Sequence, residues 1–351
     1  MNSVVELRHL TKTYKTTTAL NDVSLSIEQD SIYGLLGRNG AGKTTLMSIL
    51  TAQNFATSGE VEVFGENPYE NARVLSRMCF VRESQKYPED SNAKHALANA
   101  RLFFPHWDQA LAEELIDEFR LPLKTTIKKL SRGQQSAVGV IIGLASRAEI
   151  TFFDEPYLGF DAVARQTFYD RLIADYADHP RTVVLSSHLI DEVADLIENV
   201  IVIDRGKIII DESAEEVRNR AVNIVGDADA IARLVAGREV IHRQSLGRVA
   251  SVTVLGRLSA VDYELIAEAD LDLTPVSLQQ LIVRSTQEGL NDRSAADTES
   301  RSVQSGPPQS TTPPGTRSLA RRAAPGESSA SSSRTPRPSS GSPSSSSAGC
   351  G

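Results

Sequence analysis

The chain has 351 residues, 40% of them apolar, with 37 lysines and arginines against 45 aspartates and glutamates and a formal net charge of −8. That leaves room for one large or two ordinary domains with a sizeable core. The absence of a concentrated basic face argues against a nucleic-acid binder, which needs clustered cations to displace counterions. Cys79 stands in an apolar run and Cys350 near the end, so neither a disulfide framework nor zinc spacing is present. Glu6, Arg8 and Lys12 interrupt the first residues, leaving no secretory h-region. The longest conspicuous apolar run, Ala137 to Ala145, is about half the length that spans a bilayer. A reducing cytoplasmic setting is expected, with any membrane span supplied by another subunit.

Val4 to Leu10 and Val23 to Ile27 alternate with period two and predict strands, separated by a polar stretch containing Tyr14. Ser31 to Leu36 predicts a short buried strand running into Gly37-Arg38-Asn39-Gly40-Ala41-Gly42-Lys43-Thr44-Thr45, which fits G-x-x-x-x-G-K-[ST]. In that pattern the glycines let backbone N–H groups face an anion, the lysine reaches the β- and γ-phosphates, and the hydroxyl of Thr44 sits on Mg²⁺. Lys43 to Gln53, with Leu46, Met47, Ile49 and Leu50, predicts the helix whose N-terminus points at the phosphates. Strand, loop and helix in this order imply a nucleoside triphosphate site rather than a bare glycine-rich turn.

A Ser58-Gly59 turn leads into a strand at Glu60 to Phe64, and Met78 to Val81 is a further short strand. From Ser91 to Leu130 the pattern turns helical. Leu111, Leu115 and Phe119 fall at i, i+4 and i+8, and Leu121-Pro122 ends that helix. Arg132 to Ala145 predicts another helix. Ile150 to Phe153 and Thr182 to Ser186 predict buried strands, with a helix from Ala162 to Tyr176 between them. Strands alternating with helices imply a largely parallel sheet covered on both faces. Residues 214–290 predict a small α+β appendage, with signals at Ala230 to Leu234, Arg248 to Leu255 and Leu278 to Val283. From 291 to 351 serine, proline and arginine dominate, and such a segment is expected to stay disordered.

Downstream of the phosphate loop, Leu130-Ser131-Arg132-Gly133-Gln134 resembles the LSGGQ signature of ATP-binding-cassette (ABC) ATPases. Ile150-Thr151-Phe152-Phe153-Asp154-Glu155-Pro156 resembles that family's Walker B strand with its adjoining glutamate. Gly159-Phe160-Asp161 stands where the D-loop ends, and Ser186-Ser187-His188 where the switch histidine lies. Gln85 falls at the Q-loop, and Tyr14 where an aromatic stacks on adenine. The resemblance covers residues 1 to 213. Arg132 replaces the first glycine of the signature and Phe160 the usual leucine before Asp161, while Ser131 and Gly133 keep the phosphate-binding backbone. Glu83 competes with Gln85 for the Q-loop role. Gln85 is favoured because an amide both ligates Mg²⁺ and holds a water.

The resemblance implies a P-loop NTPase cassette at 1–213, with a mixed sheet core and a helical subdomain at about 91–147. Its ligands are ATP and Mg²⁺. Nucleotide contacts would come from Tyr14, Gly37 to Thr45, Gln85, Ser131, Gly133, Gln134 and Asp161. The metal would be held by Thr44, Asp154 and Gln85. Lys43 would neutralise phosphate charge and His188 would contact the γ-phosphate. Glu155 would orient or deprotonate the attacking water, the alternative being a second carboxylate in the Mg²⁺ shell. Tyr14 has an alternative as an exposed strand-end aromatic. The resemblance places Ser131 to Gln134 far from the phosphate loop of their own chain, completing the site only when two copies pack head to tail. The implied whole is an ATPase subunit, as a homodimer or with a paralogous ABC subunit. It would sit on the inner face of the membrane and drive a separate permease, without nucleic acid. Within the family the chain looks like bacterial exporter-type subunits near the bacitracin-resistance and acetoin-utilisation groups. The other classes to weigh are a soluble cassette acting on DNA or ribosomes, and a non-hydrolysing regulator. Phe103-Phe104-Pro105-His106-Trp107 is expected either to dock the permease or to fill the subdomain's own core.

Overall fold

The structure, a computed structural model, describes residues 3–282 except positions 84, 89 and 275. The expected disordered tail at 291–351 and the end of the appendage at 283–290 lie outside the described residues. The chain opens with β1 (Ser3–Tyr14), β2 (Thr17–Glu28), β3 (Ile32–Leu36), α1 (Lys43–Leu50), β4 (Ser58–Val63), α2 (Ala72–Leu75) and β5 (Met78–Arg82). It continues through α3 (Ala93–Phe103), α4 (Gln109–Glu118), a 3₁₀ turn at Ile127–Lys129, α5 (Arg132–Ala145), β6 (Ile150–Asp154) and α6 (Ala162–Asp178). After these come β7 (Thr182–Ser187), α7 (Ile190–Val193), β8 (Asn199–Asp204) and β9 (Lys207–Ser213).

Two sheets result. β2-β1-β4 is antiparallel, and β5-β6-β7-β3-β8-β9 is parallel except for its antiparallel edge β9. The period of two sorts the strands of the larger sheet between two cores. Leu35, Phe152, Val184, Ile201 and Ile203 face α1 and the three-stranded sheet. Their neighbours Leu36, Phe153, Leu185 and Val202 face the helices of the opposite side. Continuous apolar runs in β3, β6, β7 and β8 are therefore what burial on both faces demands.

The helix α5 is fixed at its start by a reciprocal cap between Ser131 and Gln134. It lies close on the sheet because Gly139 and Gly143 share a face. A Cβ on Gly143 would stand 2.4 Å from the Phe153 ring, and one on Gly139 would stand 2.9 Å from Val81. Gly143→Ala is accordingly expected to destabilise by about 1–3 kcal/mol, as overpacking does. Thermal unfolding that matches the wild type would show that this contact yields freely.

Several boundaries differ from the sequence expectation. The helix expected to end at Leu121-Pro122 stops at Glu118, because Arg120 takes φ 49 and the residue before proline disfavours helix. The helix expected to reach Gln53 ends at Leu50, with Ala52 at φ 55. The hairpin β8–β9 closes the sheet through Arg205 and Gly206, both with positive φ as a tight two-residue turn requires.

Beyond β9 lie α8 (Ala214–Arg218), β10 (Ala221–Asp227), α9 (Ala228–Leu234), β11 (Val240–Leu246), β12 (Val249–Leu255), α10 (Ala260–Glu268) and β13 (Asp272–Thr274). The last six form a βαββαβ unit with antiparallel order β11-β12-β10-β13. Ile224, Ile231, Val252, Val254, Ile266 and Leu271 make its own core. Ala221, Val276, Leu278, Leu281 and Ile282 instead join the core of the larger sheet, so this unit is seated on the preceding fold. Among the described residues no helix is long and apolar enough to cross a membrane.

Candidate functional site

The C-terminal ends of β3, β6 and β7 converge on a cleft of about 550 Å³. It is lined by Asn39, Gly40, Gly42, Lys43, Thr44 and Thr45 from the loop after β3, and by Asp154, Glu155, Leu158 and His188 from the ends of β6 and β7. Ala19, Glu83 and Arg132 complete the wall. The loop's shape depends on glycine at two points. A Cβ on Gly37, at φ 149, would meet the Ile203 carbonyl at 2.2 Å. One on Gly42, at φ 122, would meet the Ala19 carbonyl at 2.8 Å.

Gly42 also begins α1 without any side-chain cap, so the first N–H groups of that helix are left for another partner. Lys43 is only 6% exposed, and its Nζ donates to the carbonyls of Gly37 at 2.8 Å and Arg38 at 3.4 Å. Thr44 Oγ1 donates to Asp154 Oδ2 at 2.7 Å, while Ser186 Oγ donates to Asp154 Oδ1 at 2.8 Å. A hydroxyl and one carboxylate held together suit Mg²⁺, which takes few protein ligands and draws the rest from substrate phosphates and water. Among the described residues no three His, Cys, Asp or Glu side chains form a metal cluster of their own. An uncapped helix start, a buried lysine and this donor pair fit a Mg–nucleotide.

Glu155 takes φ 50, a left-handed conformation that costs a non-glycine residue about 1–3 kcal/mol. Its N–H donates to Ser186 Oγ at 3.0 Å, which holds the turn. The carboxylate is divided in its duties. Oε2 contacts His188 Nδ1 at 2.5 Å and accepts from Tyr157 OH at 3.0 Å. Oε1 is buried without a hydrogen-bond partner and stands 3.6 Å from Lys43 Nζ. A carboxylate only accepts, so Nδ1 of His188 carries a proton toward it and leaves Nε2 directed elsewhere.

Other expected residues fall differently. Gln85 is exposed and outside the lining, whereas Glu83 is on it. Tyr14, 43% exposed at the end of β1, lies outside the lining as well. Its hydroxyl bonds Asn54, and Lys12 Nζ sits 4.8 Å from its ring. Gly37, Arg38 and Ala41 shape the loop without lining the cleft. Asp161 caps α6 by accepting from Ala164 N–H at 2.8 Å. Ser131 and Gln134 are bound up in the cap of α5, and Gly133 packs so closely on the Gly159 carbonyl that a Cβ would stand 2.6 Å away. Arg132, the departure from the signature, reaches the cleft of its own chain and pairs with Glu83 at 3.4 Å. Ser131, Gly133 and Gln134 are not on the lining of that cleft. Ser186, Ser187 and Tyr157 were not foreseen as parts of the site, although two hydroxyls directly before His188 were a usable signal.

The profile of the ABC transporter family matches residues 20–158. The chain is 30% identical over 224 residues to the bacitracin transport ATP-binding protein BcrA of Bacillus licheniformis, spanning 63% of this chain and 73% of that one. It is 28% identical over 190 residues to the ABC transporter ATP-binding protein YtrB of Bacillus subtilis, spanning 54% of this chain and 65% of the relative. It is 30% identical over 211 residues to the doxorubicin resistance ATP-binding protein DrrA of Mycobacterium tuberculosis, spanning 58% of this chain and 63% of the relative. In fold it is similar to the solved ATP-binding subunit of an ABC transporter, with TM-score 0.55 and 20% identity over 61% of this chain and 92% of that one. A dimeric ATP-binding cassette in a post-hydrolysis state with ADP and Pi bound gives TM-score 0.53 and 23% identity over 60% of this chain and 98% of that one. The chain belongs to the ABC transporter family and carries its ATP-binding cassette, a P-loop ATPase fold.

Proposed function

We propose that the cleft between the Gly37–Thr45 loop and Asp154-Glu155 binds Mg–ATP and hydrolyses it, and that two copies or two paralogous subunits complete each other's sites. The observation that carries this reading is Glu155 Oε1, buried without a hydrogen bond and 3.6 Å from the Nζ of the buried Lys43, in a cleft whose other wall is an uncapped helix start. Lys43 and the N–H groups at the start of α1 bind and neutralise phosphate oxygens. Thr44 and Asp154 hold Mg²⁺, which when bound screens the phosphate charge and fixes its geometry. Glu155 Oε1 orients the attacking water and accepts its proton, and His188 Nε2 stabilises charge growing on the γ-phosphate. Tyr14 supports the adenine ring. Glu83 or Gln85, just after β5, takes the Q-loop role of ligating Mg²⁺ and holding a water, and Glu83's place on the lining favours it over Gln85.

Ser131, Gly133 and Gln134 form the N-terminal start of α5, the end that meets the nucleotide of the opposite subunit, and Asp161 lies at the same contact. Closure on ATP and reopening after hydrolysis supply a stroke to a partner. Ser131→Arg is expected to abolish hydrolysis while sparing monomeric ATP binding. Mixed with a Lys43→Ala protein, it should permit at most one intact site per dimer. An ATP affinity reduced as far as that of Lys43→Ala itself would contradict the head-to-tail arrangement.

The partner proposed is an integral membrane permease of the exporter kind, on whose inner face the subunit sits, a reading supported by relatives named for bacitracin transport and doxorubicin resistance. At the end of α3, Leu102 and Phe103 are 82% and 73% exposed, whereas Phe104 and Trp107 pack into the core. The first pair is the proposed anchor for a permease helix, and the second serves the subdomain's own packing. Co-purification with a polytopic protein is the expected result in native membranes. Recovery with RNA or ribosomes instead would favour a soluble cassette.

A further inference from the structure

Tyr157 follows Glu155 by two residues and is only 2% exposed, in a chain segment where nothing about packing alone requires a hydroxyl. Its ring lies among apolar and aromatic neighbours, with the Tyr169 and His188 rings each 6.3 Å away. Its hydroxyl nevertheless has two partners, Glu155 Oε2 at 3.0 Å and Ser187 Oγ at 2.7 Å. Ser187 Oγ in turn accepts from the Leu189 N–H at 2.9 Å.

The direction of these bonds follows from the groups themselves. An ionised carboxylate accepts only, so the single phenolic proton of Tyr157 points at Glu155. The phenol oxygen must then accept from Ser187, and Ser187, its proton committed, accepts from Leu189. The result is a chain of donors, Leu189 N–H to Ser187 to Tyr157 to Glu155, all running toward one carboxylate oxygen and each polarising the next. Burial holds the Tyr157 phenol far above its ordinary pKa, so it stays a donor throughout.

We infer that Tyr157 is a positioning residue for ATP hydrolysis: its hydroxyl, backed by Ser187, pins Glu155 Oε2 so that Oε1, which makes no hydrogen bond, is the oxygen turned to the water. His188 meets the same Oε2, so both ties fall on one side of the carboxylate. Without them a residue held at φ 50 has only the 3.6 Å ion pair with Lys43 to fix its carboxylate, and phosphate oxygens bound by Lys43 compete for that contact. The inference rests on the reading of Glu155 as the residue that handles the water. It adds what sets the orientation of that residue.

The test uses the full chain with Mg–ATP and three substitutions, two of which are also combined. Tyr157→Phe removes one oxygen and preserves the ring. It is expected to lower kcat roughly tenfold to a hundredfold, the range for one hydrogen bond to a charged group, with KM for ATP and the thermal midpoint close to wild type. Ser187→Ala, which removes the support behind the phenol, should lower kcat in the same direction and by less. In a Glu155→Gln background, Tyr157→Phe should have no further effect on single-turnover hydrolysis, because the group it positions is already gone. Tyr157→Phe with kcat within about twofold of wild type overturns the inference. So does a parallel fall of kcat, ATP affinity and thermal midpoint, which marks a purely structural residue, and so does full additivity with Glu155→Gln. A Glu155→Gln protein that turns over normally would instead overturn the assignment of Glu155 itself, whatever Tyr157 does.

Discussion

Glu155→Gln is expected to bind ATP as the wild type does and to lose hydrolysis by roughly 10²–10⁴-fold, the usual contribution of a positioned general base. The amide keeps the size of the side chain and can still meet Tyr157 and His188, so the local turn at φ 50 has no cause to collapse. What disappears is the anionic Oε1 that stands 3.6 Å from Lys43. Removing that negative charge from the neighbourhood of the phosphates also favours the closed, ATP-loaded state. The variant should therefore accumulate as a dimer in the presence of ATP, visible by sedimentation. Wild-type phosphate release would remove Glu155 from the reaction and return it to the alternative role of a carboxylate near the metal.

Lys43→Ala has the opposite signature. Its ammonium is buried at the head of α1 and is held by the Gly37 and Arg38 carbonyls, which aim it into the cleft before any ligand arrives. Loss of its charge-assisted bonds to phosphate is expected to weaken ATP binding roughly a hundredfold or more, since each such bond contributes about 1.5–3 kcal/mol. Nucleotide titration of the purified chain measures this. An unchanged Kd would mean that the loop does not receive the β- and γ-phosphates.

The contrast between these two residues and the rest of the site shows what a sequence carries and what it withholds. Lys43, Thr44 and Asp154 were readable because short-range constraints fix them: a strand must end, a glycine loop must turn, and a helix must start at that lysine. The parallel sheet was readable from the apolar runs at β3, β6 and β7 for the same reason. The sheet's far edge, β8 and β9, was not. Val200 to Ile203 is as apolar as β6, but its pairing with β3 joins residues more than 160 positions apart, and only the Arg205-Gly206 turn hinted at β9. Tyr157 escaped because a tyrosine beside a catalytic strand reads as core, and only tertiary packing turns its hydroxyl onto Glu155. Glu83 and Gln85 could not be ranked from spacing, since both sit in the irregular stretch after β5, where side-chain direction follows no period. The βαββαβ unit was foreseen only as α+β, because short strands such as Asp272–Thr274 carry little pattern of their own.

The claim on which the rest depends is that this single cleft turns over ATP with its metal. Phosphate release from ATP by the purified wild-type chain, with Mg²⁺ and again with the metal chelated, tests it most directly. The expected result is steady release that requires Mg²⁺ and disappears in Lys43→Ala. Stoichiometric ATP binding with no release above the solvent background in either condition would contradict it, and would make the chain a nucleotide-sensing regulator instead of an ATPase.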